Sequence, residues 1–259
     1  MTELLVTDSE GVRTITLDRP ASRNGLTLEV VQHMKAAVLD TPTPTRVIVM
    51  TGASGAFCSG LDLKDAMQRG LRSGAETAAG LREDFQGLIR ALVESERPTI
   101  AAVDGAAAGF GCDLALACDL RIVSDRGFFG EIFVRRGLMP DGGGTWLLPH
   151  IVGTGRALEM LLTGDLVQAD EAFRIGLANR IVPHAELMAR VAELALRLAK
   201  GPPLVHRHVK RAVYAGLHGD LAASHELEAT GQLELLASAD FAEGITAFLQ
   251  KREPRFQGR

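Results

Sequence analysis

The sequence predicts an α/β fold in which most strands pair in parallel, followed by a helical region. Between Arg46 and Val123, short apolar segments typical of buried strands alternate with Gly-rich loops and helical segments. This order favours parallel pairing, because parallel neighbours need crossover connections. From about Gly153 the pattern turns helical, and Gly201-Pro202-Pro203 precedes an almost wholly helical tail. We therefore expect a core over residues 1–200 and a helical region over residues 201–259.

Composition limits the class of protein. The chain has 259 residues, of which 46% are hydrophobic and 23% charged, with a formal net charge of −4. These values are typical of one large globular domain with a sizeable core. No run of Lys or Arg suggests a nucleic-acid or lipid partner. We expect neither partner.

Targeting segments and metal sites are not expected either. The opening "MTELLVTDSEG" is polar and turn-rich, unlike a signal peptide. The most apolar segment, residues 99–123, contains three aspartates and is therefore not expected to span a membrane. The three cysteines, Cys58, Cys112 and Cys118, suggest buried, reduced thiols of a cytoplasmic protein. The seven histidines form no ligand cluster, so we expect no metal.

The first elements follow from turn signals and periodicity. "ELLVTDSEGVRTITLDRP" predicts two strands joined at Glu10-Gly11. "TLEVVQHMKAAVLD" predicts a helix that ends before Pro42. Its apolar stripe contains Val30, Val31, Met34, Ala37 and Val38. "RVIVMTG" predicts a short buried strand.

The next elements repeat a strand–loop–helix order. "GASGAFCSGLDL" is an irregular loop rich in small residues, and a helix is predicted from roughly residue 76 to residue 95. "TIAAVDG" predicts a strand, "FGCDLALAC" a short helix and "DLRIV" another strand.

Two loops are suited to presenting backbone amides. "FCSGLDL" (57–63) and "GAAAGFGCDLALACD" (105–119) each place a glycine before a turn into a predicted helix. The first N–H groups of a helix have no partner within it, and two converging amides stabilise negative charge on a carbonyl oxygen. Either loop alone is better explained as a tight strand–helix turn. Neither matches a dinucleotide or triphosphate motif, and no GxSxG nucleophile elbow is present.

Six segments in order then resemble the enoyl-CoA hydratase/isomerase, or crotonase, family. They are "LDRPASRNGLT", "GAFCSGLDL", "PTIAAVDGAAAGFGCDLALACDLRI", "GLMPDGGGTWLLPHIVG", "ADEAFRIGLANRIV" and "FAEGITAFLQKREPRF". The resemblance covers essentially the whole chain. It implies a crotonase-like ββα spiral with a helical C-terminal trimerisation region, and trimers that often pair into hexamers. It also implies a coenzyme A thioester substrate and no separate cofactor.

The resemblance assigns roles to individual residues. The amides of Leu61 and Phe110 are expected to form the oxyanion hole; the family often has glycine at the second position, so the Phe110 side chain is expected to shape the acyl pocket. The residues expected to bind coenzyme A are Ser22, Arg23, Asp62, Leu63 and Lys251, the last from its own or a neighbouring subunit. The alternative for Arg23 and Lys251 is that they are solvated surface charges without a role in binding coenzyme A.

The sequence departs from the hydratases of this family at their two catalytic glutamates. The first falls at Asp113 and the second at Phe133, which is expected to line the acyl pocket; Glu131 is expected to point elsewhere. Some isomerases of the family carry a functional Asp in the turn that holds Asp141. Asp113 and Asp141 are therefore the predicted catalytic residues. The alternatives are that Asp113 stabilises a helix start and that Asp141 caps a helix or turns the chain.

Four functions remain open at this point. The first is an enoyl-CoA isomerase that uses Asp113 and Asp141, similar to the phenylacetate-pathway isomerases. The second is an enoyl-CoA hydratase in which Asp replaces the usual Glu pair. A non-catalytic CoA-binding protein and a Clp-type serine peptidase are weaker alternatives, the latter because no Ser/His pair is evident.

Overall fold

The computed structural model describes residues 3–68 and 79–259. The strands are β1 (Leu4–Ser9), β2 (Val12–Leu17), β3 (Val47–Gly52), β4 (Thr99–Val103), β5 (Ala106–Ala108), β6 (Leu120–Ser124), β7 (Phe128–Gly130), β8 (Val167–Gln168) and β9 (Arg180–Val182). They form a larger sheet in the order β1-β2-β3-β4-β6-β9 and a smaller one in the order β5-β7-β8. Every pair from β2 to β9 in the larger sheet is parallel, as predicted.

The helices surround the two sheets and then form the end of the chain. They are α1 (Leu28–Leu39), α2 (Leu63–Gln68), α3 (Gln86–Val93), α4 (Phe110–Leu116), α5 (Gly144–Val152), α6 (Thr154–Thr163), α7 (Ala169–Arg174), α8 (Leu187–Ala199), α9 (Pro203–Gly216), α10 (Leu221–Leu236) and α11 (Ala239–Gln250). A π-helical turn, Leu81–Phe85, leads into α3. The predicted helix over residues 76–95 is thus present in its described part, while residues 76–78 lie outside the described residues.

The hairpin β1–β2 and the helix α1 follow the sequence signals. Glu10 and Gly11 both have positive φ angles, 49° and 79°, which the tight turn between two antiparallel strands requires. The predicted apolar stripe of α1 faces the core, with Val30, Val31 and Met34 at most 1% exposed.

Two hydrophobic clusters cover opposite faces of the larger sheet. Val47 and Val49 of β3 belong to the cluster that includes Val191 of α8. Their neighbour Ile48 belongs to the other, larger cluster, which spans α1, α3, α4 and the smaller sheet. Because successive strand residues point to opposite faces, β3 is buried on both sides and reads as a continuous apolar run.

Small residues allow the loop before α2 to pack directly against the start of α4. A Cβ on Gly111 would lie 2.2 Å from the backbone oxygen of Cys58, so only glycine permits this contact. Cys58 also pairs with Ala107 in an isolated parallel bridge. The loop 57–63 is therefore fixed beside the N-terminus of α4, which positions the site described below.

The helix α9 contacts the core through polar groups. Lys210 of α9 forms an ion pair of 2.9 Å with Asp119, and the hydroxyl of Tyr214 donates to the same carboxylate. Large apolar side chains of α10 and α11 are exposed: Leu221, Leu233, Phe248 and Leu249. The proposed division at residue 200 stays a prediction. Within the described residues no helix is both long and apolar enough to cross a membrane.

Candidate active site

The amide of Leu61 is free because of how its loop is paired. Gly60 and Asp62 both bond to Leu26: the amide of Leu26 donates to the Gly60 oxygen, and the amide of Asp62 donates to the Leu26 oxygen. Backbone groups alternate in direction along an extended segment. The Leu61 N–H therefore points away from Leu26, and it donates to no group in the described part of the chain.

The amide of Phe110 is free because it starts a helix. Gly109 precedes α4 with φ 55° and ψ −130° and provides no side-chain cap. The first N–H groups of a helix lack partners within it, and the Phe110 N–H donates to no described group. A Cβ on Gly60 would lie 3.4 Å from the Phe110 nitrogen. The Leu61 and Phe110 amides therefore belong to one small site.

Asp113, one turn into α4, is a fully buried carboxyl group. Its exposed fraction is 0%. Oδ2 accepts a hydrogen bond of 3.1 Å from the Gly142 amide, whereas Oδ1 has no partner. Burial, and next the nearby charge of Glu131, raise the pKa of Asp113 well above its usual range. A buried carboxyl with an unpaired oxygen is costly, which is typical of a functional group.

Glu131 lies in the same space, contrary to the expectation that it would point elsewhere. Its side chain is 0% exposed and neither carboxyl oxygen has a hydrogen-bond partner. A Cβ on Gly144 would lie 2.4 Å from Oδ1 of Asp113 and 3.0 Å from Oε1 of Glu131. The two unpaired oxygens thus border the same small space beside Gly144. Burial raises the pKa of Glu131 to about 7, with a smaller contribution from the charge of Asp141.

Asp141 is the half-buried carboxyl of the group. Burial raises the pKa of its side chain, and its charge in turn raises the pKa of Asp113 and Glu131. Its backbone oxygen accepts a hydrogen bond from the Gln86 side chain. The N-cap of α5 is Gly143, without a side-chain capping bond. The alternative in which Asp141 caps this helix is therefore wrong.

Aromatic rings border these carboxyl groups. The ring of Phe110 packs edge-on against Phe85, with centroids 5.2 Å apart. Its edge and Oδ2 of Asp113 lie 2.8 Å and 2.7 Å from the position that a Cβ on Gly142 would occupy. The ring of Phe133 lies 4.0 Å from the corresponding position on Gly109, close to the start of α4. Phe110 and Phe133 thus provide apolar surface next to the free amides.

Four of the five predicted CoA-binding residues lie on two loops that contact each other. The hydroxyl of Ser59 donates to the Ser22 oxygen, and the Ser59 amide donates to the Arg23 oxygen. The Arg23 side chain is exposed. Leu63 begins α2, whose first amides donate to the Asp62 side chain.

An ion pair fixes Asp62. The guanidinium of Arg19 lies 3.1 Å from its carboxylate, and the pKa of Asp62 is lowered because these bonds outweigh the effect of burial. The sequence analysis missed Arg19, although it lies within the "LDRPASRNGLT" segment. Asp62 and Arg19 hold the two loops in place.

Lys251 is the predicted site residue that the structure does not bring to the others. It follows α11 in the left-handed conformation, with φ 52°, and its amide bonds to Phe248 of the same helix. Its side chain is exposed and makes no hydrogen bond or ion pair with residues 22–23 or 61–63. Its expected role stays a prediction that depends on a neighbouring subunit.

Glu131 is the main functional candidate that the sequence analysis dismissed. Its signal in the sequence is a single carboxylate within the otherwise apolar run "FFGEIFV". Such a charge is rarely buried without a partner. In the described residues no set of three His, Cys, Asp or Glu side chains has the arrangement of a metal site.

Comparison with known proteins places the chain in a family. Residues 7–259 match the family model for enoyl-CoA hydratase/isomerase. A Rhodobacter capsulatus protein named "Probable enoyl-CoA hydratase" is 45% identical over 97% of this chain and 96% of its own length. The 1,2-epoxyphenylacetyl-CoA isomerase of Escherichia coli is 33% identical, with 100% of both chains covered.

Solved structures agree with this assignment. The crystal structure of enoyl-CoA hydratase from Bacillus anthracis superposes with a TM-score of 0.94 at 29% identity, covering 100% of both chains. The relatives thus include proteins named as hydratases and as an isomerase. The chain belongs to the enoyl-CoA hydratase/isomerase family and has its crotonase fold.

Proposed function

We propose that the protein is an enoyl-CoA isomerase that moves a double bond by proton transfer through a thioester enolate. The observation that carries this proposal is the position of Asp141. It is a half-buried carboxyl with a raised pKa, whose charge acts on two fully buried carboxyl groups, one of them in the first turns of α4. A carboxylate with a raised pKa is a better base near neutral pH.

The free amides of Leu61 and Phe110 stabilise the enolate. Negative charge develops on the thioester oxygen when a proton leaves the neighbouring carbon. Preorganised N–H donors in dry surroundings stabilise such charge, and losing one donor typically costs about 3–4 kcal/mol of the barrier. The thioester oxygen binds between the two loops, and coenzyme A extends along Ser22, Arg23, Asp62 and Leu63. Coenzyme A is part of the substrate, so no separate cofactor is needed.

Two aspartates carry the protons. Asp141 takes the proton from the α-carbon and becomes neutral. Protonated Asp113 then donates its proton to the γ-carbon, and the enolate collapses to the conjugated thioester. Transfer of the proton from Asp141 to Asp113 restores both groups. The Phe110 ring packs beside Asp113 and therefore borders the space through which an acyl chain would reach it.

Apolar surroundings favour isomerisation over the addition of water. Phe133 occupies the position where the family's hydratases carry their second glutamate, and its ring lies near the start of α4. The Phe110 and Phe85 rings extend this apolar surface. An aromatic acyl group is compatible with these rings, as the name of the Escherichia coli relative suggests for that protein.

Hydration is the second candidate function, because one observation favours it. Glu131 provides a second buried carboxyl, and its unpaired oxygen borders the same space beside Gly144 as Oδ1 of Asp113. Such a pair is suited to orienting and activating a water molecule. Under this alternative Asp113 and Glu131 replace the usual two glutamates, and Asp141 is secondary.

One experiment tests the two candidates together. The purified protein is incubated in D₂O with 2-enoyl-CoA and 3-enoyl-CoA thioesters of aliphatic and aryl acyl groups, and the products are identified by mass spectrometry. We expect a shifted double bond with incorporated deuterium. Products heavier by one water would support the hydratase. Binding without exchange or turnover across the panel would contradict both and favour a non-catalytic CoA-binding protein.

A further inference from the structure

Glu131 has no role in the isomerisation described above, although its carboxyl group is fully buried within the site. Both of its oxygens are buried without a hydrogen-bond partner. It follows β7 directly and precedes the 3₁₀ turn Ile132–Arg136, so the backbone holds it on the inner side of the site. The weak S–H donor of Cys112 is the side chain that most favours its charged form.

The surroundings of Glu131 contain no positive charge to balance it. The titratable groups that face it are Asp113 and Cys112 from α4 and Asp141 from the loop before α5. Within the described part of the chain, no Lys, Arg or His forms an ion pair with any of these carboxyl groups. Two like charges in a low-dielectric space are strongly disfavoured, so a buried carboxyl pair retains one proton.

The position of that proton follows from the hydrogen bonds. Oδ2 of Asp113 already accepts the Gly142 amide, which leaves Oδ1 as the oxygen available to carry a proton. Oδ1 and Oε1 of Glu131 lie 2.4 Å and 3.0 Å from the same point beside Gly144. A proton on Oδ1 therefore lies beside the small space that Oε1 of Glu131 also borders, and neither oxygen has another hydrogen-bond partner.

We propose that Glu131 shares one proton with Asp113 and acts as a positioning residue that keeps Asp113 in its acid form. Only the effect of this role on turnover rests on the proposed function; the shared proton does not. When the proton on Oδ1 passes to the substrate, the negative charge of Glu131 makes its return to Asp113 favourable. Glu131 itself neither gains nor loses a proton over the cycle.

The first test needs no substrate. Carboxyl carbons of ¹³C-labelled Asp and Glu are titrated by NMR in the wild type, in Glu131→Gln and in the control Glu228→Gln, at an exposed site on α10. We expect a carboxyl that titrates near neutral pH in the wild type and in the control. In Glu131→Gln this near-neutral titration should be absent. The Asp113 signal should titrate about one pH unit lower or more, because the charge of Glu131 is gone. Glu131 and Asp113 signals that titrate independently near their ordinary values would overturn the proposal.

The second test uses turnover of the best thioester from the D₂O panel. In Glu131→Gln the alkaline limb of the kcat profile should move to lower pH by at least about one unit, because Asp113 loses its proton earlier. At pH 8 kcat should fall roughly tenfold or more, while KM changes by less than about threefold. Glu131→Met, which fills the same space without a charge, should behave alike, and Glu131→Asp should recover part of the rate.

The outcomes separate the two proposals. A shared proton in the NMR titration without turnover in the wild type would leave this inference standing and contradict the proposed function. An unchanged pH profile in folded Glu131→Gln and Glu131→Met would show that Glu131 only fills space and would overturn the inference. Should Glu131→Gln fail to fold, Glu131→Met supplies the same comparison.

Discussion

The backbone amide of Gly142 donates a 3.1 Å hydrogen bond to Oδ2 of Asp113. The loop that carries Asp141 is thereby tied to a buried carboxyl group on α4. One oxygen of Asp113 fixes this loop, and the other faces Glu131. The position of Asp141 thus depends on Asp113, so substitutions of Asp113 are expected to affect both groups.

The space between the buried carboxyl groups depends on Gly144. A methyl group there would lie 2.4 Å from Oδ1 of Asp113 and 3.0 Å from Oε1 of Glu131. We expect Gly144→Ala to lower the free energy of unfolding by about 1–3 kcal/mol through overpacking, and to reduce turnover. Chemical denaturation measures the first effect.

Gly155 is the matched control for that change. It lies in the first turn of α6, and a Cβ there would have no neighbour within 4 Å. Gly155→Ala should leave the protein equally stable or up to about 1 kcal/mol more stable, since alanine favours helix. Equal stability of the two variants would show that the carboxyl groups are not packed as described.

The contribution of the Phe110 amide can be tested by comparing two substitutions of Phe110. Phe110→Ala removes the ring, whereas Phe110→Pro removes both the ring and the N–H. Proline is tolerated in the first turn of a helix, where Phe110 lies. We expect Phe110→Pro to lose a further factor of roughly 10²–10³ in kcat relative to Phe110→Ala. Equal rates of α-proton exchange in both variants would exclude this amide from the oxyanion hole.

Asp141 is expected to act as the base. Asp141→Asn keeps the size of the side chain and removes the charge, and no described side chain forms an ion pair with Asp141. The variant should fold normally and lose roughly 10²–10⁴-fold in kcat, the usual range for a general acid–base group. Asp165→Asn, at an exposed site, is the control. Wild-type turnover in Asp141→Asn would show that this residue only turns the chain.

Much of the fold was predictable because local signals agreed with the tertiary arrangement. The Glu10-Gly11 turn, the stripe of α1 and the apolar run of β3 all appear as expected. The free amide of Phe110 was predictable because glycine before a helix start is a local feature, whereas the Leu61 amide is free because its loop pairs with Leu26.

Glu131 was missed for a physical reason. Its direction was inferred by counting two residues back from Phe133, but the chain leaves β7 at Gly130 and enters a 3₁₀ turn at Ile132. Neither the strand nor the helix period holds across such a change. The pairing of Glu131 with Asp113 depends on how the start of α5 packs against α4, which no local pattern reports.

The exposed apolar faces of α10 and α11 predict self-association. Phe248 is 80% exposed and Leu249 73% exposed, and large apolar patches generally mark interaction surfaces. We expect native mass spectrometry to show a trimer or a dimer of trimers, in place of the dimer that is commonest among homo-oligomers. Phe248→Glu should dissociate it, whereas Leu39→Glu, at a site 62% exposed on α1, should not. Monomers or dimers alone in the wild type would contradict this expectation.

The stability of the protein should depend on pH through Glu131. Its pKa rises from 4.5 to about 7 in the folded protein. The folded state therefore binds more protons than the unfolded state between these two values. The stabilising contribution is complete below pH 4.5 and is lost as the pH rises through about 7, because the buried group must then ionise beside other acidic groups and with no cation paired to it.

The Glu131→Gln variant removes this effect together with the influence of Glu131 on the pKa of Asp113. Asp104, whose pKa is lowered to about 2, and His206, whose pKa is lowered by burial, act in the opposite direction in both proteins. A shift of one pKa unit corresponds to about 1.4 kcal/mol, so the variant should exceed the wild type in stability by roughly 3 kcal/mol at pH 8. At pH 4, where Glu131 is protonated, the two should be nearly equal. Denaturant unfolding at both pH values measures the difference, and an advantage that does not change with pH would show that Glu131 is not ionised in the folded protein at pH 8.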